Sequence, residues 1–393
     1  MTGSALSGVR ILDLSRILAG PYCTQLLGDL GADVIKIERP GVGDDTRQWG
    51  PPFLEGPDGD TQESGYYLSA NRNKRSAEID LHSAEGHKAI LDLLENCDVL
   101  IENFKVGDLA RAGLDYATLA PRFPGLIYCS ISGFGQTGPN AHRPGYDLLA
   151  QGWGGIMSLT GDPEGEPIKV AVGIVDIMTG MYAATGILAA LRHRDRTGEG
   201  QAIDVALVDV MTSWLANEGV NTLLTGRDPI RRGNQHPSIV PYQVFAVRDG
   251  HVIIACGNDD QYQKLCRILA VEELADDPRF CTNPQRLRHR DELIPLIADI
   301  AAKWSKAELI SAMETAGVPG GPINTLTEVF EDPQAIARGM RIEMPHSAAT
   351  SGVVPLIGNP LKLSATPIAY RLPPPQRGEH TTQVLRQTAT QGV

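Results

Sequence analysis

Short apolar runs alternate with helical stretches along the first third of the chain. Residues 9–14 and 34–38 form two such runs, and the helical stretch between them closes at Gly31. Further runs at 99–101 and 126–131 each end in a polar or glycine-rich loop. Because short buried runs separated by helices are typical of parallel β-α-β units, the pattern predicts a doubly wound α/β sheet. Ligands of such sheets bind beyond the carboxyl ends of the strands.

The longest helical pattern follows a short apolar run at residues 170–175 and ends in the polar sequence TGEG at 197–200. Asp176 stands where this helix should begin. Small residues recur along the helix, so we expect another backbone to pack closely against it. These residues are Gly180, Ala183, Ala184, Gly186, Ala189 and Ala190.

Asp176 allows two interpretations. An aspartate at this position can cap the helix, because its carboxylate accepts hydrogen bonds from unpaired backbone N–H groups. Alternatively, the positive end of the helix dipole keeps the carboxylate ionised, and a sheltered carboxylate can attack an acyl carbon. The helix pattern alone does not decide between them.

A change in composition near Thr225 divides the chain. We predict a large α/β domain over residues 1–224, a smaller α/β domain over 225–332, and a C-terminal segment, 333–393, that returns to the large domain. The smaller domain contains a predicted hairpin around Asp249-Gly250.

The charge of the chain restricts its partners. The 393 residues include 35 basic and 47 acidic ones, for a net charge of -12, which argues against nucleic acid or an anionic membrane as partner. No uninterrupted apolar run is long enough to span a bilayer. Six scattered cysteines without a C-x-x-C pair indicate free thiols in a reducing, cytoplasmic setting, and the histidine spacing predicts no metal site.

The basic motif NRNKR, residues 71–75, stands out in an acidic chain. It is either a solvated loop or a site for a phosphate or carboxylate. Trp49 is either a loop anchor or a lid over a ligand. The predicted strand ends supply backbone amides, basic groups and Phe104, which suits a ligand with phosphates and an adenine ring. The first loop lacks G-x-G-x-x-G, so NAD is not favoured.

Several segments resemble the family III CoA-transferases over nearly the whole chain. They are LDLSRILAGPYCTQLLGDLGADVIKIERPGVGDDTRQWGPP, NRNKRS, IENF, SGFGQTGP and VDIMTGMYAATGILAAL. GNQHPSIVPYQVF and GNDDQ resemble the branch that contains succinate–hydroxymethylglutarate CoA-transferase. The resemblance implies a large Rossmann-like domain, a smaller α/β domain and an interlocked homodimer.

The resemblance also implies the chemistry. Asp176 matches the family's catalytic aspartate, which attacks an acyl-CoA thioester and forms first a mixed anhydride and then an aspartyl-CoA thioester. Coenzyme A is then a substrate, small carboxylic acids are the other partners, and no permanent cofactor is needed. Together with the basic motif, the expected CoA contacts are Ile17, Ala19, Arg39, Arg72, Lys74, Asn103, Phe104, Arg111 and Tyr146.

Departures from the family pattern bear on the substrate. Leu18 replaces a glutamine of the formyl-CoA branch, and Arg232-Gly233-Asn234-Gln235 replaces its glycine run, which puts an oxalate–formate substrate in doubt. The resemblance to the succinate–hydroxymethylglutarate branch implies instead succinyl-CoA and a dicarboxylic acid such as succinate, glutarate or a branched relative. The predicted substrate residues are Leu18, Arg47, Trp49, Arg72, Gly233, Asn234 and His236, with Arg72 favoured as the partner of the second carboxylate.

Two other functions remain open. An α-methylacyl-CoA racemase would carry a histidine where this chain has Tyr146, so no imidazole is present to move the α-proton. A non-catalytic CoA-binding homologue would keep the basic positions and lose the aspartate, whereas Asp176 is present.

Overall fold

The structure is a computed structural model that describes residues 3–389, with the side chains of all of these except Gln62 and residues 387–389. Strands and helices alternate along much of the chain. The strands are β1 (Arg10–Asp13), β2 (Asp33–Glu38), β3 (Phe53–Gly56), β4 (Gly59–Ser64), β5 (Lys74–Glu78), β6 (Val99–Glu102), β7 (Ile127–Ser132), β8 (Ala202–Ala206), β9 (Tyr242–Val247), β10 (Gly250–Ala255), β11 (Gly320–Pro322), β12 (Arg341–Pro345) and β13 (Val353–Ile357).

The helices range from one turn to more than six turns. They are α1 (Ala19–Asp29), α2 (Gly65–Ser69), α3 (Ala84–Leu94), α4 (Asp108–Arg111), α5 (Tyr116–Leu119), α6 (Asp147–Trp153), α7 (Ile174–Thr197), α8 (Leu207–Ser213), α9 (Ala216–Thr225), α10 (Asp259–Ile268), α11 (Glu272–Asp276), α12 (Asn283–Arg288), α13 (Arg290–Ala301), α14 (Lys306–Ala316), α15 (Leu326–Glu331), α16 (Pro333–Ala337) and α17 (Thr381–Ala389).

The chain divides into two compact units. The first comprises the described residues up to Met157, Lys169–Asp228 and those from Pro333 onward, and the second comprises Ser158–Ile168 and Pro229–Asp332. The segment 158–168, which the composition placed in the large domain, groups with the second unit. The physical reason is that the Gly161 carbonyl accepts from Gly233 N at 3.0 Å.

The first unit is built on a six-stranded parallel sheet in the order β5-β2-β1-β6-β7-β8. Counted along the sheet-forming strands, this is the 3-2-1-4-5-6 order of Rossmann-type folds, which confirms the predicted fold class. Two apolar cores sandwich the sheet, one containing residues of α1, α7 and α8 and the other residues of α3, α4 and α17. The order reverses between β1 and β6, where such sheets bind ligands.

Small residues let α1 and α7 approach closely, as the sequence predicted. A Cβ atom on Gly180 would lie 2.6 Å from the Ala19 carbonyl oxygen. Among the described residues, α7 is the one helix long and apolar enough to cross a membrane by length and composition, whereas no such run was expected from the sequence. Half of its most apolar stretch is buried in the first unit, so it is described as a core helix.

The second unit has its own core around a three-stranded antiparallel sheet, β11-β10-β9. The predicted hairpin of β9 and β10 is present, and its turn residues are Arg248 and Asp249, one residue earlier than Asp249-Gly250. Helices α10, α13 and α14 bury apolar residues in this core, among them Leu265, Ile297 and Leu309.

Candidate active site

A cleft lies at the carboxyl ends of the parallel strands of the first unit. It consists of a cavity of about 760 Å³ and a second one of about 470 Å³. Both are lined by Arg16, Phe104 and Asp108, so they adjoin. Residues that follow β1, β2, β5 and β6 line the larger cavity, which is where the strand order places a ligand.

Asp176 lines the smaller cavity and lies in the first turn of α7. The helix begins at Ile174 with Gly173 as its N-cap residue, so the hypothesis that Asp176 caps the helix is wrong. Asp147 of α6 does the capping instead, because its Oδ1 accepts from Val175 N at 2.8 Å and from Asp176 N at 3.4 Å. This leaves the Asp176 carboxylate unused by its own helix.

The Asp176 carboxyl group is only 9% exposed and, among residues 3–389, accepts no hydrogen bond and forms no ion pair. Burial and, secondarily, the charge of Asp147 raise its pKa to about 7. The position at the start of the helix predicted an ionised carboxylate, whereas burial in the structure favours its protonated form. A poorly solvated carboxylate with a raised pKa is a better nucleophile than a surface one.

The loop that follows β1 contributes Arg16 and Ile17 to the lining of the smaller cavity. Ile17 has a φ of 72°, a left-handed conformation that is strained for a β-branched residue. Ile17 N donates to Asp44 Oδ1 at 3.3 Å, and Asp44 is itself held by Lys36 Nζ at 2.8 Å. Asn103 adds two bonds to the Arg16 backbone, at 2.9 and 2.7 Å. These side chains fix the loop in a conformation that its own sequence disfavours.

Aromatic side chains frame the smaller cavity. Tyr146 is 63% exposed and Trp49 is also exposed, and both line it. Tyr66 packs edge-on against Trp49 with ring centroids 5.1 Å apart. Burial and then the Asp176 charge raise the pKa of Tyr66 to about 12, so the phenol lies near that carboxylate. The sequence analysis missed Tyr66, and the only signal was its place in the apolar approach to the basic motif.

Of the predicted CoA contacts, Ile17, Ala19, Asn103, Phe104 and Tyr146 line the smaller cavity. Phe104 lines the larger one too, together with Arg39 and Arg111. Both of these arginines are solvent-exposed, and they form ion pairs with Asp45 and Asp108 respectively. The structure therefore brings these predicted residues together along one cleft.

Arg72 is not placed where it can bind a ligand. It is 4% exposed, and its Nε and Nη2 donate to the two oxygens of Asp29 at 2.9 and 2.6 Å. Its Nη1 donates to the Ile357 carbonyl at 2.8 Å. The prediction that Arg72 binds a substrate carboxylate or a CoA phosphate is corrected, because its donors are committed within the fold.

Arg47 and Lys74 are buried in the same way. Arg47 donates to both oxygens of Glu38, at 2.8 and 2.7 Å, and to Glu63 at 2.5 Å. Lys74 donates to Asp13 at 3.3 Å and to the Pro21 carbonyl at 2.8 Å, and burial lowers its pKa to about 8. Their predicted contacts with substrate and CoA are corrected for the same reason.

The remaining predicted substrate residues, Leu18, Gly233, Asn234 and His236, line neither of the two cavities. Leu18 is buried at the N-terminus of α1. Gly233, Asn234 and His236 belong to the second unit, where the His236 ring packs on Tyr242 with centroids 5.0 Å apart. Within residues 3–389, no group of three or more His, Cys, Asp or Glu side chains is arranged to hold a metal ion.

The fold is an α/β fold whose Rossmann-type switch point opens into two adjoining cavities, and the smaller one is lined by the unpaired Asp176 carboxyl group. Residues 6–381 match the family described as CoA-transferase family III. The chain belongs to this family and is a CoA-transferase.

Named relatives cover almost the whole chain. It is 49% identical to the succinate–glutarate CoA-transferase of Agrobacterium fabrum, over 98% of this chain and 96% of that protein. It is 42% identical to the succinyl-CoA:glutarate CoA-transferase of Mus musculus, over 97% of this chain and 86% of that one. A CaiB/BaiF family protein from Brucella suis has a similar crystal structure, with a TM-score of 0.88 and 46% identity over 98% of this chain and 100% of that chain.

Proposed function

We propose that this enzyme moves CoA from succinyl-CoA to a second dicarboxylic acid, such as glutarate, through covalent intermediates on Asp176. The observation that carries the proposal is the Asp176 carboxyl group itself, which is buried, unpaired and directed to a cavity that adjoins a larger one. A structural aspartate in that setting would be expected to have hydrogen-bond partners, since an unpaired buried charge is costly. The names of the relatives support the choice of acids.

In the first half of the reaction, an Asp176 oxygen attacks the thioester carbonyl carbon of succinyl-CoA. The carbon–sulfur bond breaks, CoA leaves as a thiolate, and an aspartyl–succinyl anhydride forms. The thiolate then attacks the Asp176 carbonyl carbon. Succinate leaves, and an aspartyl-CoA thioester remains.

The second half reverses these steps with the acceptor. A glutarate carboxylate attacks the aspartyl thioester, which frees the thiolate and forms an aspartyl–glutaryl anhydride. Attack of the thiolate on the glutaryl carbonyl gives glutaryl-CoA and restores the Asp176 carboxylate. One thioester is made for each one broken, so the exchange needs no ATP.

The cleft offers a place for each part of the CoA molecule. The larger cavity suits the nucleotide, with Phe104 available to its ring and Arg39 and Arg111 to its phosphates. Their exposure fits this role, because a phosphate can replace or share the carboxylates that now pair with them. The thioester end then extends past Phe104 into the smaller cavity, toward Asp176 and Tyr146.

The proposal also includes a homodimer. Helix α9 buries none of its residues in the chain, and its Leu223 and Leu224 are 87% and 78% exposed. Exposed apolar patches often mark an interface between proteins. We expect a second copy of the chain to cover it, which gives a mass in solution of twice 42.3 kDa that does not fall on dilution.

The test of the reaction is direct. Purified enzyme with succinyl-CoA and glutarate should give glutaryl-CoA and succinate by mass spectrometry. With succinyl-CoA alone, hydroxylamine should trap an adduct that maps to Asp176. Epimerisation of a 2-methylacyl-CoA without transfer would point to a racemase, and binding without any product would point to a non-catalytic homologue; either result contradicts the proposal.

A further inference from the structure

A dicarboxylic substrate presents a second carboxylate that takes no part in the transfer. The role of this second carboxylate is inferred on the basis of the proposed function. Because an ionised carboxylate is costly to bring into a sheltered cavity without a partner, we expect a cation near Asp176. Arg47 and Arg72 cannot serve, since both are buried in ion pairs away from the cleft.

The lysines and arginines that line the two cavities fall into two groups. Among the described residues, only Lys105 and Arg143 in this set have no ion pair, and both line the smaller cavity with Asp176. The members of the other group all pair with an aspartate: Arg16 and Arg39 with Asp45, Lys36 with Asp44, and Arg111 with Asp108.

Arg143 is held in place although no acid pairs with it. Its guanidinium carbon lies 5.1 Å from the centroid of the Trp153 ring. Trp153 in turn packs edge-on against Phe134, with centroids 5.1 Å apart and an interplanar angle of 87°. A cation–π contact with a ring restrains a guanidinium and leaves its N–H donors available to a ligand.

The backbone beside Arg143 is fixed as well. Arg143 N donates to the Asn140 carbonyl at 2.9 Å. Two residues later the chain crosses the end of β7 so closely that a Cβ atom on Gly145 would lie 2.3 Å from the Gly133 Cα atom. Arg143 is therefore a planar donor on an anchored loop, at the wall of the cavity that holds the reactive carboxyl group.

We propose that Arg143 binds the second, non-reacting carboxylate of the dicarboxylic acid while the first reacts at Asp176. Its planar fork matches a carboxylate in a bidentate geometry, which a lysine ammonium does not. Lys105 adjoins Phe104, which both cavities share, and so is better placed for the CoA chain.

The test compares two acceptors of equal length, glutarate and valerate, with succinyl-CoA as the donor for both. The variant is Arg143→Met, which keeps an apolar stem against Trp153 and removes the charge. We expect the ratio of kcat/KM for glutarate to that for valerate to fall about 10- to 100-fold, because the variant loses one charge-assisted interaction with glutarate. Any effect on the donor cancels in this ratio, and Arg143→Lys should lose less.

Arg122→Met is the matched control. Arg122 is an exposed arginine over a ring, 5.0 Å from the centroid of Phe123, and it lines neither cavity, so the ratio should not change. Lys105→Met should affect both acceptors equally. The assignment is overturned if Arg143→Met leaves the ratio unchanged or slows both acceptors alike, or if Lys105→Met lowers the ratio instead. If the wild type transfers CoA to neither acid, the proposed function fails first and the assignment falls with it.

Discussion

Two groups of charged residues in the first unit differ in whether they have ion-pair partners, and Arg143 in the second group is also exposed. Arg47, Arg72 and Lys74 lie in the interior, and each donates to a carboxylate that is also buried. Asp176 and Arg143 line the smaller cavity, and neither takes part in an ion pair among the described residues. A charged residue that the fold has already neutralised supports the structure, whereas one left without a partner is available to a ligand.

The cost of burial explains this difference. Moving a charge out of water costs several kcal/mol unless hydrogen bonds and an opposite charge replace the lost solvent. Arg72 meets that requirement with Asp29 and a backbone carbonyl. Asp176 does not, and its pKa is raised to about 7 as a result. The ionised form of Asp176 in the site is therefore destabilised, whereas buried ion pairs such as that of Arg72 and Asp29 stabilise the surrounding fold.

The largest expected effect is that of Asp176→Asn on transfer. Removing the nucleophile should lower kcat by about a thousandfold or more, while CoA still binds. The same change should stabilise the protein above pH 7. The folded-state pKa of Asp176 is raised to about 7 from 3.8, so ionisation opposes folding increasingly as pH rises between these values.

Thermal denaturation at two pH values checks the second part. At pH 8 the variant should be more stable than the wild type, by at most about 4 kcal/mol for a shift of roughly three pH units. At about pH 2.5 the difference should vanish, because this pH lies below both pKa values and the carboxyl group is then protonated in both states. A variant that turns over normally, or that loses about 1 kcal/mol as a removed helix cap would, is incompatible with the assignment.

Next in size is the loss of stability in Arg72→Met. Removing the guanidinium leaves Asp29 buried without its ion-pair partner, which should cost about 3–5 kcal/mol in the free energy of unfolding. The folded fraction should keep the wild-type ratio of glutarate to valerate transfer. Arg122→Met, which breaks an exposed pair with Glu95, should cost less than about 1 kcal/mol. A stable Arg72→Met enzyme with a selective loss of glutarate transfer would restore the substrate role for Arg72.

The smallest effect concerns pH and Asp147. For the wild type, kcat/KM should fall about tenfold per pH unit below pH 7, because the ionised Asp176 is the reactive form. Asp147→Asn removes the negative charge that helps to raise the pKa of Asp176, so the midpoint should move to lower pH. The new amide oxygen can still accept from Val175 N and preserve the helix cap.

Asp249→Asn is the control for that measurement. Asp249 also accepts from a backbone N–H in the first turn of a helix, that of Lys306 at 2.7 Å, but it belongs to the second unit. Its substitution should leave the profile unchanged. A midpoint that stays in place or rises in Asp147→Asn would show that the charge of Asp147 does not act on the reactive group.

Much of the fold could be predicted from the sequence. The apolar runs at 9–14, 34–38 and 126–131 correspond to β1, β2 and β7 within one or two residues. The small residues of α7 predicted that another backbone would approach it closely, and the structure identifies α1 as that partner. The basic motif NRNKR was interpreted as a solvated loop or an anion site, whereas its Lys74 and Arg75 begin the buried strand β5. Burial of a strand that starts with charged residues cannot be predicted from sequence, because it depends on the ion-pair partners of those residues.

The candidate site was predicted less completely. Asp176 and the residues around Phe104 were found through the resemblance, and the cleft unites them. Tyr66, Asp147 and Arg143 were missed, since each acts through a neighbour that is distant in sequence. Asp147 caps a helix that begins 27 residues later, at Ile174, and no local pattern records such a contact.

The sequence by itself determined what depends on local periodicity and residue type, namely the parallel α/β sheet, the long small-residue helix and the aspartate at its start. Only the tertiary structure decided which charges are neutralised. Arg47 and Arg72 looked like ligand-binding groups until Glu38 and Asp29 were found beside them. The reason is physical: whether a charged side chain is free depends on its dielectric surroundings and on the residues opposite it in space, which chain order does not specify.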